Sequence, residues 1–491
     1  MISSVVLRTK ENYYFYDQIS KYIVPVNKVF YDIFHEAANG EFDKVYQKFG
    51  SIYSKNDLDK AINKIKNYIN LGLMHKSCSL QINPVMICSV EKIKLLYRKC
   101  SQLVLQVTER CQLDCIYCCY GTMYNEHPLQ KEKDMECQIA LNAIEDRIKS
   151  WSCLSGSDRG IEFFISFYGG EPLLNFDLIE KVVHYTKQHM PNDINYRFTM
   201  TTNGLLLKKY IDYLVENNFN LLVSLDGNRE ANSCRVYTNG QPSFDQLIEN
   251  LDHIQSNFPQ YFKNNIFFNS VYTAKADLSE SSSFIQNRYG KPSSISGINP
   301  DHVSDVARFQ KLNSNLQRGI LDSISSIKDK NIYNHFSLLQ KTYVKKFCKI
   351  YTNFCSSDYC ARSLTCETPV INNGTCLPFF KKIFIDVDGH ILPCERVLAP
   401  FPLGEIDKNG VSIDFDSVTE KYNALMKKNT ELCATCLDAY TCNHCHYSSF
   451  TQGCKYYQNS EKYINNLEYK LMLAESFPVS SSVTIKESNN V

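Results

Sequence analysis

Between residues 102 and 299, strand-like apolar runs alternate with amphipathic helical runs, and this alternation constrains the fold most. The strand runs are Leu103–Thr108, Ile161–Tyr168, Asn195–Thr202, Leu221–Leu225, Ile266–Tyr272 and Ser294–Ile298. Helical spacing falls between them at Gln138–Ser150, Leu178–Met190, Leu207–Asn217, Phe244–Ser256 and Phe284–Tyr289. Ser243 with Gln246 predicts a capping box for the fourth helix. Strand then helix, repeated, predicts an α/β fold with a parallel sheet and helices packed outside it. In such sheets the chemistry sits in loops at the C-terminal ends of the strands.

The flanks read differently. Tyr13 to Val26 is aromatic and β-branched with polar interruptions, the pattern of a hairpin. Asn27 to Ala38 and Leu58 to Leu71 carry helical apolar spacing, and Ser54 to Asp57 offers side-chain oxygens for a helix start. A hairpin-plus-helices module over 1–95 resembles the winged-helix leader-peptide recognition element that precedes many peptide-modifying enzymes. The alternative is a cap over a barrel opening. Further expectations are a barrel over 96–305, a helical bridge over 306–350, a Cys-rich domain over 351–475 with short strands and turns crowded with Cys over 350–455, and a frayed Ser-rich tail over 476–491.

Length and charge narrow the function classes. At 491 residues with 44% hydrophobic and 21% charged residues, the chain can bury more than one core. Lys+Arg is 53 and Asp+Glu is 52, so no global basic field exists to draw nucleic acid or an anionic membrane. The longest apolar runs are too short to cross a bilayer, and the N-terminus lacks a secretory h-region. The expectation is a cytoplasmic protein with no nucleic-acid or membrane partner.

The 21 cysteines are then the anomaly. A reduced chain of this size has no need of disulfide staples, so clustered thiols read as metal ligands. Cys111, Cys115 and Cys118 form a CxxxCxxC run just after the first barrel strand. Three soft thiolates so close can hold three irons of a [4Fe–4S] cubane and leave the fourth open to a small molecule. Zinc, the alternative, prefers four closed ligands in paired units.

At these residues the chain resembles the radical S-adenosylmethionine (SAM) superfamily. Gly169-Gly170-Glu171-Pro172 is similar to its GGEP turn, and Ser224-Leu225-Asp226-Gly227 with Arg235 is similar to its later strand-end motif. The resemblance implies a partial (β/α)6 barrel and specific SAM contacts. Glu171 and the carbonyls near Gly169 and Gly170 would take the ammonium, Ser224 the ribose, Arg235 the carboxylate, and Tyr117 the adenine. It also implies a mechanism. SAM binds the open iron, one electron cleaves its carbon–sulfur bond, and the 5′-deoxyadenosyl radical takes a hydrogen from an unactivated C–H.

The C-terminal cysteines resemble the SPASM domain of peptide-modifying members, which holds two auxiliary [4Fe–4S] clusters. The resemblance implies one cluster on Cys433, Cys436, Cys442 and Cys454. It implies a second on Cys376, Cys394 and Cys445, with an upstream fourth ligand, Cys366 or Cys360, of which Cys366 is preferred. Two residues separate Cys442 from Cys445 where the family usually has three. Paired zinc ribbons are the alternative. Glu395 directly follows Cys394, where sulfatase-maturating members carry an Asp that acts as base, so Glu395 is the candidate catalytic carboxylate. A surface pairing with Arg396 or a Lys is the other reading.

The expectation is a radical SAM/SPASM maturase of a ribosomally made, Cys-containing precursor peptide. It would form a thioether or another crosslink and draw electrons from a flavodoxin or ferredoxin. The alternatives are a sulfatase-type formylglycine-generating enzyme and a non-catalytic metal-binding peptide scaffold.

Overall fold

The structure, a computed structural model, describes residues 4–10, 12–17, 22–74, 81–82, 86–124, 132–155, 161–276, 278–299, 303–313, 370–371, 376–397 and 401–433, with 445, 447, 464, 468 and 471. Strands β1 (Ser4–Arg8), β2 (Tyr13–Asp17) and β3 (Tyr22–Val26) form an antiparallel sheet. The expected hairpin is present, with Tyr13 opposite Val26, and β1 adds a strand that the sequence reading did not anticipate.

Helices α1 (Lys28–Ala38), α2 (Phe42–Phe49) and α3 (Lys55–Asn70) follow. The Asn27 side chain accepts from Phe30 N at 2.9 Å, and Ser54 Oγ accepts from Asp57 N at 3.2 Å. Each cap satisfies an orphan N–H of its helix. Phe15 of β2 lies against the rings of Phe30, Phe34 and Tyr68. With Ile33, Ile62 and Ile65 they build a core separate from that of the barrel.

Strand β4 (Gln81–Ile82) leads to α4 (Val90–Lys99). Ile93 and Tyr97 of α4 belong to the barrel core, so the expected boundary at residue 95 falls inside a barrel-packed helix.

The barrel proper is β5 (Gln102–Thr108), α5 (Cys137–Ser152), β6 (Phe163–Gly169), α6 (Phe176–His189), β7 (Tyr196–Thr202), α7 (Leu207–Glu216), β8 (Asn220–Ser224), α8 (Phe244–Asn257), α9 (Pro259–Asn265), β9 (Ile266–Tyr272), α10 (Leu278–Tyr289) and β10 (Ser293–Gly297). The six strands are parallel and neighbour one another in chain order. All six expected strands are present within two residues at either end. Helix α9 is an addition. It starts on Pro259, whose missing N–H costs nothing in a first turn.

The capping box at Ser243 is corrected. Ser243 has helical dihedrals and makes no side-chain cap; its hydroxyl donates to the Arg235 carbonyl at 2.7 Å instead.

After α11 (Val306–Leu312), β11 (Val370–Ile371) pairs in parallel with β4. Strand β12 (Ile383–Ile385) then adds in parallel to β5, and β13 (His390–Leu392), β14 (Gly404–Asp407) and β15 (Gly410–Ser412) continue antiparallel. The barrel sheet and the C-terminal strands are therefore one ten-stranded sheet. Gly389 makes the β12–β13 turn at φ +89°, where a Cβ would meet Ile406 O at 2.1 Å. Only glycine fits there.

Helix α12 (Phe415–Cys433) corrects the expectation of short strands and turns throughout this region. Its Val418, Tyr422, Leu425 and Met426 are buried at helical spacing. Cys348, Cys355, Cys360, Cys366, Cys436, Cys442 and Cys454 lie outside the described residues, as do the expected bridge beyond 313 and the tail. Among the described residues no helix is long and apolar enough to cross a membrane.

Candidate active site

Cys111, Cys115 and Cys118 sit on the loop that leaves β5, and a second loop clamps it. Asp114 N donates to Val236 O at 2.8 Å, and Ile116 N donates to Cys234 O at 3.0 Å. The three thiols line one cavity with the ends of β6, β7 and β8: Gly169 and Gly170, Thr202 and Asn203, and Ser224. This is the C-terminal edge of the parallel strands, where the fold was expected to carry its chemistry.

Burial pushes the Cys111 and Cys115 thiols up to about 12. Thiols so placed stay protonated near neutrality unless a metal supplies the positive charge. N–H donors already point at the sulfurs. Leu113 N is 3.4 Å from Cys111 Sγ, Asn203 Nδ2 is 3.7 Å from the same atom, and Arg235 Nη1 is 4.0 Å from Cys115 Sγ. Donors of this kind suit metal-bound thiolates and tune an iron–sulfur centre. The donor set fits a soft metal cluster.

The Gly169–Gly170 turn packs directly on this loop. A Cβ at Gly169 (φ +151°) would meet Thr108 O at 2.1 Å, and one at Gly170 would meet Arg110 O at 2.3 Å. The next residue, Glu171, is fully buried and is turned toward the protein. Its carboxylate accepts from Thr202 Oγ1 at 2.8 Å, Asn203 N at 2.7 Å and Leu173 N at 3.2 Å. Burial pushes its carboxyl up to about 7, against the pull of those three donors. Glu171 thus ties the end of β6 to the end of β7.

Arg235 and Asp226 form a buried ion pair. Arg235 Nε and Nη2 each donate to a different Asp226 oxygen at 3.0 Å. Asp226 also accepts from Val271 N at 2.8 Å and from the Tyr117 hydroxyl. The Tyr117 ring lies 5.4 Å from the guanidinium carbon. Two nitrogens of the fork are therefore engaged within the protein, and Nη1 is the nitrogen turned to the thiols.

Beside the cavity, Glu395 receives Lys382 Nζ at 2.9 Å. Burial alone would raise its carboxyl, but the Lys382 charge and hydrogen bond hold it below the usual carboxylate range. Its charge is felt by Cys119, Tyr120 and Tyr168, all cavity-lining residues. The sheet extension makes this possible: Cys394 and Glu395 follow β13, two strands from β5. Cys394 is pushed up to about 11 by burial first, then by the charges of Glu395 and Cys445.

Sequence reasoning gave no site role to Asp226, Asn203, Ser243 or Lys382. Asp226 stood inside the quoted Ser224–Gly227 motif without being given a task. Ser243 and Lys382 act through contacts that only the folded chain brings together.

Residues 105–270 match the model of the radical SAM superfamily, so the chain carries a radical SAM domain. It is 32% identical over 181 residues to the radical SAM cyclopropyl synthase TigE of Paramaledivibacter caminithermalis, covering 35% of each chain. It is 27% identical over 154 residues to a cysteine-type anaerobic sulfatase-maturating enzyme of Clostridium novyi, covering 31% of this chain and 39% of that one. The chain spans less than half the length of the curated relatives it first matches. The structure of polyhistidine-tagged anSMEcpe with bound AdoMet superposes with a TM-score of 0.51 at 17% identity, over 77% of this chain and 96% of that one. That likeness extends the shared fold well beyond the matched domain.

Proposed function

We propose that this chain is a radical SAM enzyme that modifies a ribosomally made peptide. The observation that carries the reading is the convergence of Cys111, Cys115 and Cys118 at the strand ends, with N–H donors aimed at two of their sulfurs. A [4Fe–4S] cluster on those thiolates would supply the electron that fragments SAM to a 5′-deoxyadenosyl radical.

The chain's own residues bind and orient. Backbone carbonyls at the Gly169–Gly170 turn would accept from the SAM ammonium, because the Glu171 oxygens are engaged by Thr202, Asn203 and Leu173. Arg235 would offer Nη1 to the SAM carboxylate, since Asp226 holds its other nitrogens. Ser224 would meet the ribose and Tyr117 the adenine. Glu395, kept ionised by Lys382, would accept the proton released as the substrate is oxidised. Cys376, Cys394, Cys445, Cys433 and, outside the described residues, Cys366, Cys436, Cys442 and Cys454 would hold two auxiliary [4Fe–4S] clusters. The separate N-terminal core would bind the leader of the precursor peptide. The external electron donor would be a flavodoxin or ferredoxin.

A peptide substrate is supported by the name of the Clostridium novyi relative, a sulfatase-maturating enzyme. That name also favours a second reading, formylglycine formation on a sulfatase. Glu395 in place of the Asp expected there argues against it.

The test is anaerobic coexpression with a short Cys-containing peptide encoded beside this gene, followed by mass spectrometry. A thioether or carbon–carbon link removes two hydrogens from the peptide. An unmodified peptide, together with a sulfatase peptide converted to formylglycine, would favour the second reading.

A further inference from the structure

The C-terminal thiols have a neighbour from the other end of the chain. Cys88, which precedes α4, is 4% exposed and belongs to the same apolar cluster that Cys394 and Cys445 pack against. Its backbone is fixed to α12. Asn423 Nδ2 donates to Cys88 O at 2.8 Å, and Cys88 N donates to Asn423 Oδ1 at 3.1 Å. Asn423 is adjacent to Tyr422, so the clamp holds Cys88 near that residue.

Tyr422 and Tyr447 are 0% and 3% exposed, and their rings are 6.2 Å apart. Both hydroxyls are buried with no hydrogen-bond partner among the described residues. A buried donor left without an acceptor destabilises the fold unless an acceptor is supplied. Cys88, clamped beside Tyr422, and Cys445, two residues before Tyr447, therefore flank a pair of rings whose hydroxyls lack an acceptor among the described residues.

We propose that Cys88 is the fourth thiolate of the proximal auxiliary iron–sulfur centre, beside Cys376, Cys394 and Cys445, and that Tyr422 and Tyr447 donate their O–H groups to its sulfurs. This rests on reading the C-terminal cysteines as cluster ligands. It assigns to Cys88 the place otherwise expected of Cys366. It also gives both phenols an acceptor, since cluster sulfides and thiolates accept hydrogen bonds. A buried packing Cys would satisfy the burial of Cys88 but not the orphaned hydroxyls. The centre would join the linker before the barrel to α12, and through it the two ends of the chain.

The experiment uses the full chain, purified and reconstituted without oxygen. Iron and sulfide content, zinc content and EPR spectra are compared for the wild type, Cys88→Ser, Cys366→Ala and Cys394→Ala. The expected result is that Cys88→Ser and Cys394→Ala each lose or alter the same auxiliary signal, while Cys366→Ala keeps it. Wild-type iron and spectra in Cys88→Ser, or the loss appearing in Cys366→Ala instead, would overturn the assignment. Wild-type iron in Cys394→Ala as well, or zinc in place of iron, would overturn the C-terminal cluster reading with it. Should Cys88→Ser fail to fold, the Tyr422→Phe/Tyr447→Phe pair leaves every thiol in place. It is expected to keep full iron content and to move the auxiliary midpoint potential to a more negative value. An unmoved potential would overturn the hydroxyl contacts.

Discussion

Arg235 grips Asp226 with two 3.0 Å bonds while its remaining nitrogen stands 4.0 Å from the Cys115 sulfur. A buried pair of this kind is strongly destabilised when one partner is removed, because the other charge is left in low dielectric. Asp226→Ala is expected to cost about 3–5 kcal/mol in urea unfolding. Arg235→Lys keeps the charge but loses the fork. It is expected to weaken SAM binding in equilibrium dialysis while costing less stability than Asp226→Ala. Equal stability losses in the two variants would contradict this.

The Gly170 position tests how tightly the turn sits on the cysteine loop. A Cβ there has 2.3 Å to Arg110 O, which a rigid backbone cannot absorb. Gly170→Ala is expected to displace the loop and lower iron incorporation at the first centre severalfold. The far-UV circular dichroism should stay near wild type. Full iron loading would show that the loop moves freely.

Glu171 predicts a pH signature. Its folded carboxyl titrates near 7 against an ordinary 4.5, so the folded chain keeps a proton that the unfolded chain releases. Its contribution is therefore fully present below about 4.5 and is lost as pH rises to about 7, a change of about 3 kcal/mol. Urea melts of the wild type should weaken across that window relative to Glu171→Gln. Parallel pH profiles for the two proteins would contradict the assignment.

Glu395 and Lys382 predict a split between radical formation and product formation. Glu395→Gln should leave 5′-deoxyadenosine release within about twofold and cut peptide modification about 10²–10⁴-fold, the range of a lost general base. In Lys382→Met, burial acts on the Glu395 carboxyl unopposed by the Lys382 charge, so its titration moves up. The acid limb of the modification rate then shifts to higher pH. An unshifted limb would remove Glu395 from the proton path.

The N-terminal core predicts a separable binding function. Its Phe15, Phe30 and Ile65 pack among themselves, apart from the barrel core. Removing residues 1–74 should weaken binding of the precursor peptide in fluorescence anisotropy at least tenfold and spare 5′-deoxyadenosine release. Unchanged peptide affinity would return this module to the role of a cap.

The barrel was legible because its signals are local. Strands such as Ile266–Tyr272, and in the N-terminal module the helix start at Ser54, depend on neighbours a few residues away. What escaped depends on long-range pairing. Nothing near Ile383–Ile385 announces that it will lie parallel to Leu103–Leu105, so the joined sheet was hidden. The Ser243 hydroxyl chose the Arg235 carbonyl over its own helix end because the folded loop brings that carbonyl within 2.7 Å. Helix α12 was readable from Val418, Tyr422, Leu425 and Met426, but the neighbouring cysteines drew the reading toward turns. In the site, residue types at motif positions were visible. Their partners were not, which is why Glu171 was expected to face a ligand although its oxygens hold β6 to β7.

The central claim is met most directly by EPR of the reduced, anaerobically reconstituted chain with and without SAM, beside Cys115→Ala. A cubane signal that changes on adding SAM, and that the variant lacks, is the predicted result. A spectrum indifferent to SAM, or thiols at 111, 115 and 118 filled only by zinc, would contradict it.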